Sequence, residues 1–305
     1  KDKVSTFLRK CLSLHYLFTW TDQKSAGRSA SALSLSPYTT AVVYNSHLSS
    51  FEWEFIQKGR SYNLPVTCRF KETFLCRRCG EFAETLAHVL CCCRPFMSYT
   101  NARHNSVLDI LAAEIREHCN AELDVDLRCR FVHSPLRVDL QVYFPDIKRI
   151  VLIDVKCPFD EEKNLSRANT DNLNHYKNLA EQIQEQYSDH KVLLFTFIVG
   201  ALGTWIPDNR KALKAVFLSH REKSIAYAAI RSNIRWSAGH WAAFNDGRDT
   251  SNLSRYRDNP EHDPRAQSIE GAIFEELDET ADPATETANA EMSNQYSSNL
   301  RSGER

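Results

Sequence analysis

Residues 136–160, LRVDLQVYFPDIKRIVLIDVKCPFD, constrain the fold more than any other stretch of the chain. In residues 137–144 the odd positions are Arg, Asp, Gln and Tyr and the even ones Val, Leu, Val and Phe, the period-two pattern of a strand with one buried face. Residues 149–157 are more apolar, with Asp154 and Lys156 as their polar interior positions, and a Pro-Asp turn separates the two runs. A turn centred between Asp146 and Ile147 predicts a hairpin in which Asp139 lies opposite Asp154, with Lys156 two residues further on the same face. Opposed residues have Cβ atoms about 4.5–5.5 Å apart, so two carboxylates there repel. Burying one unpaired costs several kcal/mol. Such a hairpin needs a compensating charge.

The flanking patterns extend this hairpin into a layered fold. Residues 102–119 place Val107, Ile110, Leu111 and Ile115 at helical spacing. After the hairpin, Leu165, Ala168, Leu173, Tyr176, Leu179 and Ile183 share a second helical face. KVLLFTFIVG then reads as a strand covered on both sides, and a long helix is predicted from Arg210 to about Ile234, with Asp208 placed to cap it. The order helix, strand, strand, helix, strand, helix predicts an α/β core with a mixed sheet. Residues 1–65 show no periodic domain and read as the remnant or linker of a preceding region. From Asp246 onward, 14 acidic and 6 basic residues make a tail of −8, leaving +7 in the body before it. Residues 246–305 are poor in large apolar groups and are expected to be a disordered acidic tail, with residues 273–277 (IFEEL) a candidate short binding helix. The mildly basic body is compatible with a nucleic-acid partner. No apolar run of membrane-spanning length appears, and no secretory leader is recognisable, so the chain is expected neither in a membrane nor secreted.

The cysteines are clustered rather than spread as a disulfide framework. Cys76, Cys79, Cys91, Cys92 and Cys93 fall within 18 residues around His88. The spacing C-x2-C-x8-H-x4-C, using Cys76, Cys79, His88 and Cys93, suits a tetrahedral zinc site, with Gly80 allowing the tight turn after the first pair. Four protein ligands would close the shell and make the zinc structural. Cys91 and Cys92 are alternatives for the fourth position, and the competing reading is a set of reduced core thiols beside a satisfied histidine. Arg77, Arg78, Arg94 and Arg103 surround this segment and are candidate phosphate contacts, or else a solvated basic face. This module is assigned to residues 66–103.

The acids of the hairpin have a chemical reading as well. Two carboxylates with water and phosphate oxygens are a usual way to hold Mg²⁺ or Mn²⁺ for phosphodiester chemistry, and a lysine alongside orients the attacking water and stabilises the developing phosphorane charge. Asp139, Asp154 and Lys156 are therefore the candidate catalytic residues, against the alternative of an ordinary surface ion network. Glu114, on the preceding helix, is a further candidate metal ligand, or an exposed helix glutamate.

The motif series C-R-R-C-G…E-T-L-A-H-V-L…C, R-H-N, R-V-D-L, I-D-V-K-C-P-F-D and I-V-G-A-L-G-T-W-I-P-D-N, covering residues 51–209, resembles the C-terminal part of the polyprotein of non-LTR (LINE-type) retrotransposons that carry a restriction-like endonuclease. The resemblance implies a zinc knuckle of CCHC type followed, in residues 104–245, by a nuclease of the PD-(D/E)XK superfamily that nicks target DNA so that the exposed 3′ end primes reverse transcription. It implies DNA and element RNA as partners, a reverse transcriptase domain N-terminal to this segment of the polyprotein, and synthesis in the cytoplasm followed by work in the nucleus. It assigns the acids to Asp139 and Asp154, the lysine to Lys156 and the zinc positions to Cys76, Cys79, His88 and Cys93. Asn172, His175 and Tyr176 stand where such elements often have lysine, lysine and tyrosine, so cationic support falls to Lys177 or His175. No aromatic-x-Asp-Asp string of a polymerase occurs in the chain. The alternative to an active nuclease is a degenerate or co-opted zinc protein that only binds nucleic acid.

Overall fold

The computed structural model describes residues 2–22, 27–45, 48–66 and 75–247. Its centre is a four-stranded sheet in the order β1 (Glu122–Arg128), β2 (Arg137–Phe144), β3 (Arg149–Lys156) and β4 (Lys191–Ile198). β1, β2 and β3 are antiparallel neighbours, and β4 lies parallel to β3, so the sheet is mixed as expected. A helical crossover is what a parallel neighbour requires. Here it is α7 (Glu162–Gln186), an amphipathic helix whose Tyr176, Leu179 and Ile183 pack on Val138, Ile150 and Leu152. The opposite face of the sheet, with Leu140, Val142, Val151, Ile153 and Val155, is covered by α6 (Met97–His118), and α9 (Glu222–Asp246) packs on α6 from the other side. The result is an α/β sandwich with two apolar layers.

The strand β1 is not among the elements that the sequence pattern predicts. Leu123, Val125 and Leu127 alternate with acidic residues, but the run is short and half exposed, the character of an edge strand. The helix expected from Arg210 to Ile234 is two helices, α8 (Asn209–Ala215) and α9, separated by Phe217 at φ 66° and a 3₁₀ turn over Ser219–Arg221. At the break the Phe217 ring lies edge-on to Phe144, with the Arg149 guanidinium over it. Asp208 makes no capping bond and pairs with Lys211 instead (2.8 Å).

The expected boundary at 65 also dissolves. After α1 (Asp2–Thr21) come α2 (Gly27–Leu33), α3 (Pro37–Asn45) and α4 (Ser50–Arg60). Val42, Val43, Phe55, Ile56, Leu64 and Val66 are buried in the same core as the sheet. α4 begins with a complete capping box between Ser49 and Glu52. Beyond α4, α5 (Leu86–Cys91) leads directly into α6, which crosses the expected 103/104 boundary without a break. The acidic tail and its IFEEL segment lie outside the described residues. No described helix is long and apolar enough to cross a membrane.

Candidate functional site

Two constellations lie at one end of this fold. The first is the cysteine module. Cys76 Sγ lies 3.8 Å from Cys93 Sγ, and Cys79 Sγ lies 3.3 Å from His88 Nε2. All four ligand atoms fall within 4.8 Å of one another. Zinc–sulfur bonds of about 2.3 Å at the tetrahedral angle imply sulfur–sulfur separations of about 3.8 Å, so the donor set fits zinc as it stands. Among the described residues this is the one group of three or more His, Cys, Asp and Glu that converges on a metal-sized point, and it selects Cys93 over Cys91 and Cys92. Cys91 is instead half-buried beside Arg103, and Cys92 is exposed.

Local backbone chemistry builds this geometry. Gly80 at φ 68° closes the turn after Cys79, and the Gly80 amide donates to Cys76 O at 2.8 Å. A bridge between Leu75 and Ala83 and the bond from Cys76 N to Phe82 O (2.7 Å) hold the loop flat. Thr85 caps α5, its Oγ1 accepting from the His88 amide at 3.0 Å, which fixes the turn of helix that carries His88. Burial lowers the His88 pKa and so favours the neutral imidazole that ligates metal. Burial raises Cys79, but amide bonds from residues 81 and 82 and the thiols of Cys76 and Cys93 together bring it below the ordinary thiol value. Cys93 is raised, first by burial and then by the other two sulfurs. A divalent cation is the natural relief for that repulsion.

The second constellation is the acid end of β2 and β3. The hairpin has the expected register, through Leu140 opposite Ile153, but its ladder stops one residue short of Asp139 and Asp154. β1 is likewise unpaired at Asp126, which takes φ 51°, and Val138 packs on the α7 face while Leu140 packs on the α6 face. Strand alternation therefore breaks at Asp139. Its carboxylate turns into the gap between strands, where Oδ2 accepts from the Val155 amide at 2.7 Å and from His104 Nε2 at 3.1 Å. Asp154 is 2% exposed, its carboxylate in direct contact with the Lys156 ammonium.

The two acids are held in different electrostatic states. Burial alone would raise Asp139, but the His104 and Val155 hydrogen bonds and the charges of His104 and Lys156 keep it below the ordinary carboxylate value. Asp154 is raised, first by burial and then by the Asp139 charge, against the pull of Lys156. A further positive charge between them would favour the ionised form of both.

His104, from the R-H-N string, is the residue that spacing alone did not single out. Its Nε2 faces both Asp139 Oδ2 and Val155 O (3.0 Å), two acceptors, so Nε2 carries a proton. Burial lowers its pKa, yet Asp139 outweighs burial and leaves it raised. Tyr176 lies beside Asp154 and donates to Arg137 O at 2.6 Å.

Other expectations move. Glu114 is no ligand to this centre: both its oxygens accept from Arg221 at 3.0 and 3.1 Å, ten residues and about 15 Å along the helix from His104. Lys177 is exposed and points to Glu181 (3.9 Å), and Asn172 is buried against Thr196 (3.0 Å). Of the four candidate phosphate-contacting arginines, Arg103 is fully buried and cannot meet a backbone in solvent. Arg78 donates to the Phe244 and Asn245 carbonyls, capping α9, and Arg77 stacks over the Phe244 ring at 4.8 Å. Arg94 is the most exposed of the four, 3.6 Å from Glu81, and Arg77 also keeps part of its side chain in solvent. Sequence spacing could not distinguish a basic surface from arginines spent on helix ends.

Comparison of the chain with known protein families finds no match, and comparison with curated proteins finds none.

Proposed function

We propose that this chain is a metal-dependent DNA endonuclease with a PD-(D/E)XK-type core, the nuclease part of a non-LTR retrotransposon polyprotein. The supporting observation is positional: in the order α6-β1-β2-β3-α7-β4, Asp139 and Asp154 come to the same end of two adjacent central strands, with Lys156 on Asp154. Asp139 and Asp154 would hold Mg²⁺ or Mn²⁺, which would supply Lewis-acid polarisation of the scissile phosphate and a more acidic water. Asp139 arrives ionised and oriented, because His104 and the Val155 amide both hold its Oδ2. Asp154, buried and in contact with Lys156, would be the second carboxylate to hold the cation. Lys156 would orient the attacking water and stabilise charge on the phosphorane. The bond that breaks leaves a 3′ hydroxyl, the end that a polymerase elongates.

The cysteine module fits zinc, which would be structural, since its three sulfurs and one nitrogen leave no position for a reacting water. DNA, and element RNA, are the partners this reading requires, and a nucleus is where the DNA would be met. The second reading, a nucleic-acid-binding protein that does not cut, draws on one observation: Lys177 turns away to Glu181, so Lys156 is left as the nearby lysine. Supercoiled plasmid incubated with the protein and Mg²⁺ or Mn²⁺ separates the two. Nicking that disappears in Asp154→Ala supports the nuclease; tight binding with no nicking by the unaltered protein overturns it in favour of binding.

A further inference from the structure

The two constellations are joined by a pair of consecutive residues. Arg103 is 0% exposed, and among the described residues no ion pair accompanies its guanidinium. Its Nη2 donates to Leu90 O at the end of α5 (3.0 Å), to Cys157 O just past the end of β3 (3.4 Å) and toward Cys91 Sγ (3.7 Å). Its Nη1 donates to Ser237 Oγ on α9 (3.0 Å), and that hydroxyl donates to Ala201 O (2.6 Å). His104, the next residue, holds Asp139 and the Val155 carbonyl. One turn of α6 thus grips the helix that carries the metal-ligating His88, and also the last residues of β3 and the carboxylate of β2.

A buried arginine among carbonyl dipoles is costly, and apolar substitutes commonly serve packing better. Its planar fork serves where several backbone carbonyls must be held at fixed angles. We infer that Arg103 is a positioning residue that makes the acid centre depend on metal occupancy of the Cys76, Cys79, His88 and Cys93 site: metal fixes α5, α5 fixes the Leu90 carbonyl, and the shared guanidinium fixes the end of β3 beside Asp154 and Lys156. The significance of that dependence rests on the nuclease reading, but the physical coupling does not.

Hydrogen exchange of the full chain tests the coupling without reference to cutting. Zinc-loaded protein is compared with protein stripped by a zinc-selective chelator, following the amides of residues 150–158, Pro158 having none, and, as a reference, those of α7. Stripping is expected to speed exchange at residues 154–158 roughly tenfold while α7 changes little. Arg103→Lys and Ser237→Ala, each removing part of the fork's contacts, are expected to speed the same amides with zinc still bound. Cobalt substitution is expected to show the thiolate charge-transfer bands unchanged in both variants, separating a lost strap from a lost metal site. Unaltered exchange at residues 154–158 on stripping, or a rise shared equally by α7, overturns the inference. A positive exchange result with no Asp154-dependent nicking leaves the strap standing and removes the nuclease.

Discussion

At the residue scale the acid end is a set of charges solved jointly. Asp139 is stabilised as an anion by His104 and an amide; Asp154 is penalised by burial and by Asp139; Lys156 answers part of that penalty. Lys156→Ala is expected to lower plasmid nicking by about 10²–10³-fold, the usual loss for a donor aimed at transition-state charge. Gel-shift affinity for the same DNA should change less than threefold. A different residue governs acid stability. His240 on α9 is 1% exposed, sandwiched by the Phe96 and Tyr99 rings, and its pKa is pushed down to about 3 by burial and by the Arg103 charge. Unfolded histidine titrates near 6.5, so the unfolded chain binds the extra proton between these values. The associated stability is intact above about pH 6.5 and is lost as pH falls toward 3. His240→Phe keeps the stacking and removes the proton, so the loss of Tm between pH 7 and pH 4.5 should be smaller by the equivalent of about 2 kcal/mol. Thermal melts of both proteins across that range check it.

At the element scale, helix ends and strand ends carry the specific chemistry. The C-terminus of α9 is finished by Gly247 at φ 66°, whose amide returns to Ala243 O, and by Arg78, which donates to Phe244 O (2.7 Å) and Asn245 O (2.6 Å). Cations at the last carbonyls of a helix stabilise it. Arg78→Ala is expected to destabilise the protein by about 1 kcal/mol in urea titration, with DNA affinity little changed, because this arginine is occupied by the helix and not by solvent. The hairpin was legible because period-two alternation and a Pro-Asp turn are local signals, and its register followed from them. What could not be read was the termination of the ladder at Asp139, since that depends on Asp126 of β1 adopting a left-handed backbone and on His104 arriving from α6. The break between α8 and α9 was hidden for a related reason: the apolar period is continuous, and the contacts of Phe217 with Phe144 and Arg149 are made across space.

At the scale of the whole molecule, the N-terminal helices, the cysteine module and the sheet share one core. A chain beginning at Gly27 is expected to keep its Tm within a few degrees, because α1 leaves Val4, Phe7, Leu8, Leu12, Tyr16 and Phe18 largely exposed. A chain beginning at residue 67 should not fold cooperatively, since it loses the buried Val42, Val43, Phe55, Ile56 and Leu64, each large-to-nothing deletion costing about 2–5 kcal/mol. It also loses Arg60, which donates to Leu202 O at 2.9 and 3.1 Å. Metal analysis of the purified full chain should find about one zinc, with Cys76→Ser lowering it and chelation lowering the Tm. By itself the sequence determined the α/β class, the hairpin and its register, and Cys76, Cys79 and His88 of the cysteine module, all properties of local periodicity and spacing, while the choice of Cys93 over Cys91 and Cys92 came from the fold. Tertiary structure alone decided that Arg103 is a buried strap and Arg78 a helix cap, that Glu114 belongs to Arg221, and that His104 stands on Asp139. A long polar side chain reads the same in a sequence wherever its end goes, and only the packing of distant elements specifies which charge or carbonyl it meets.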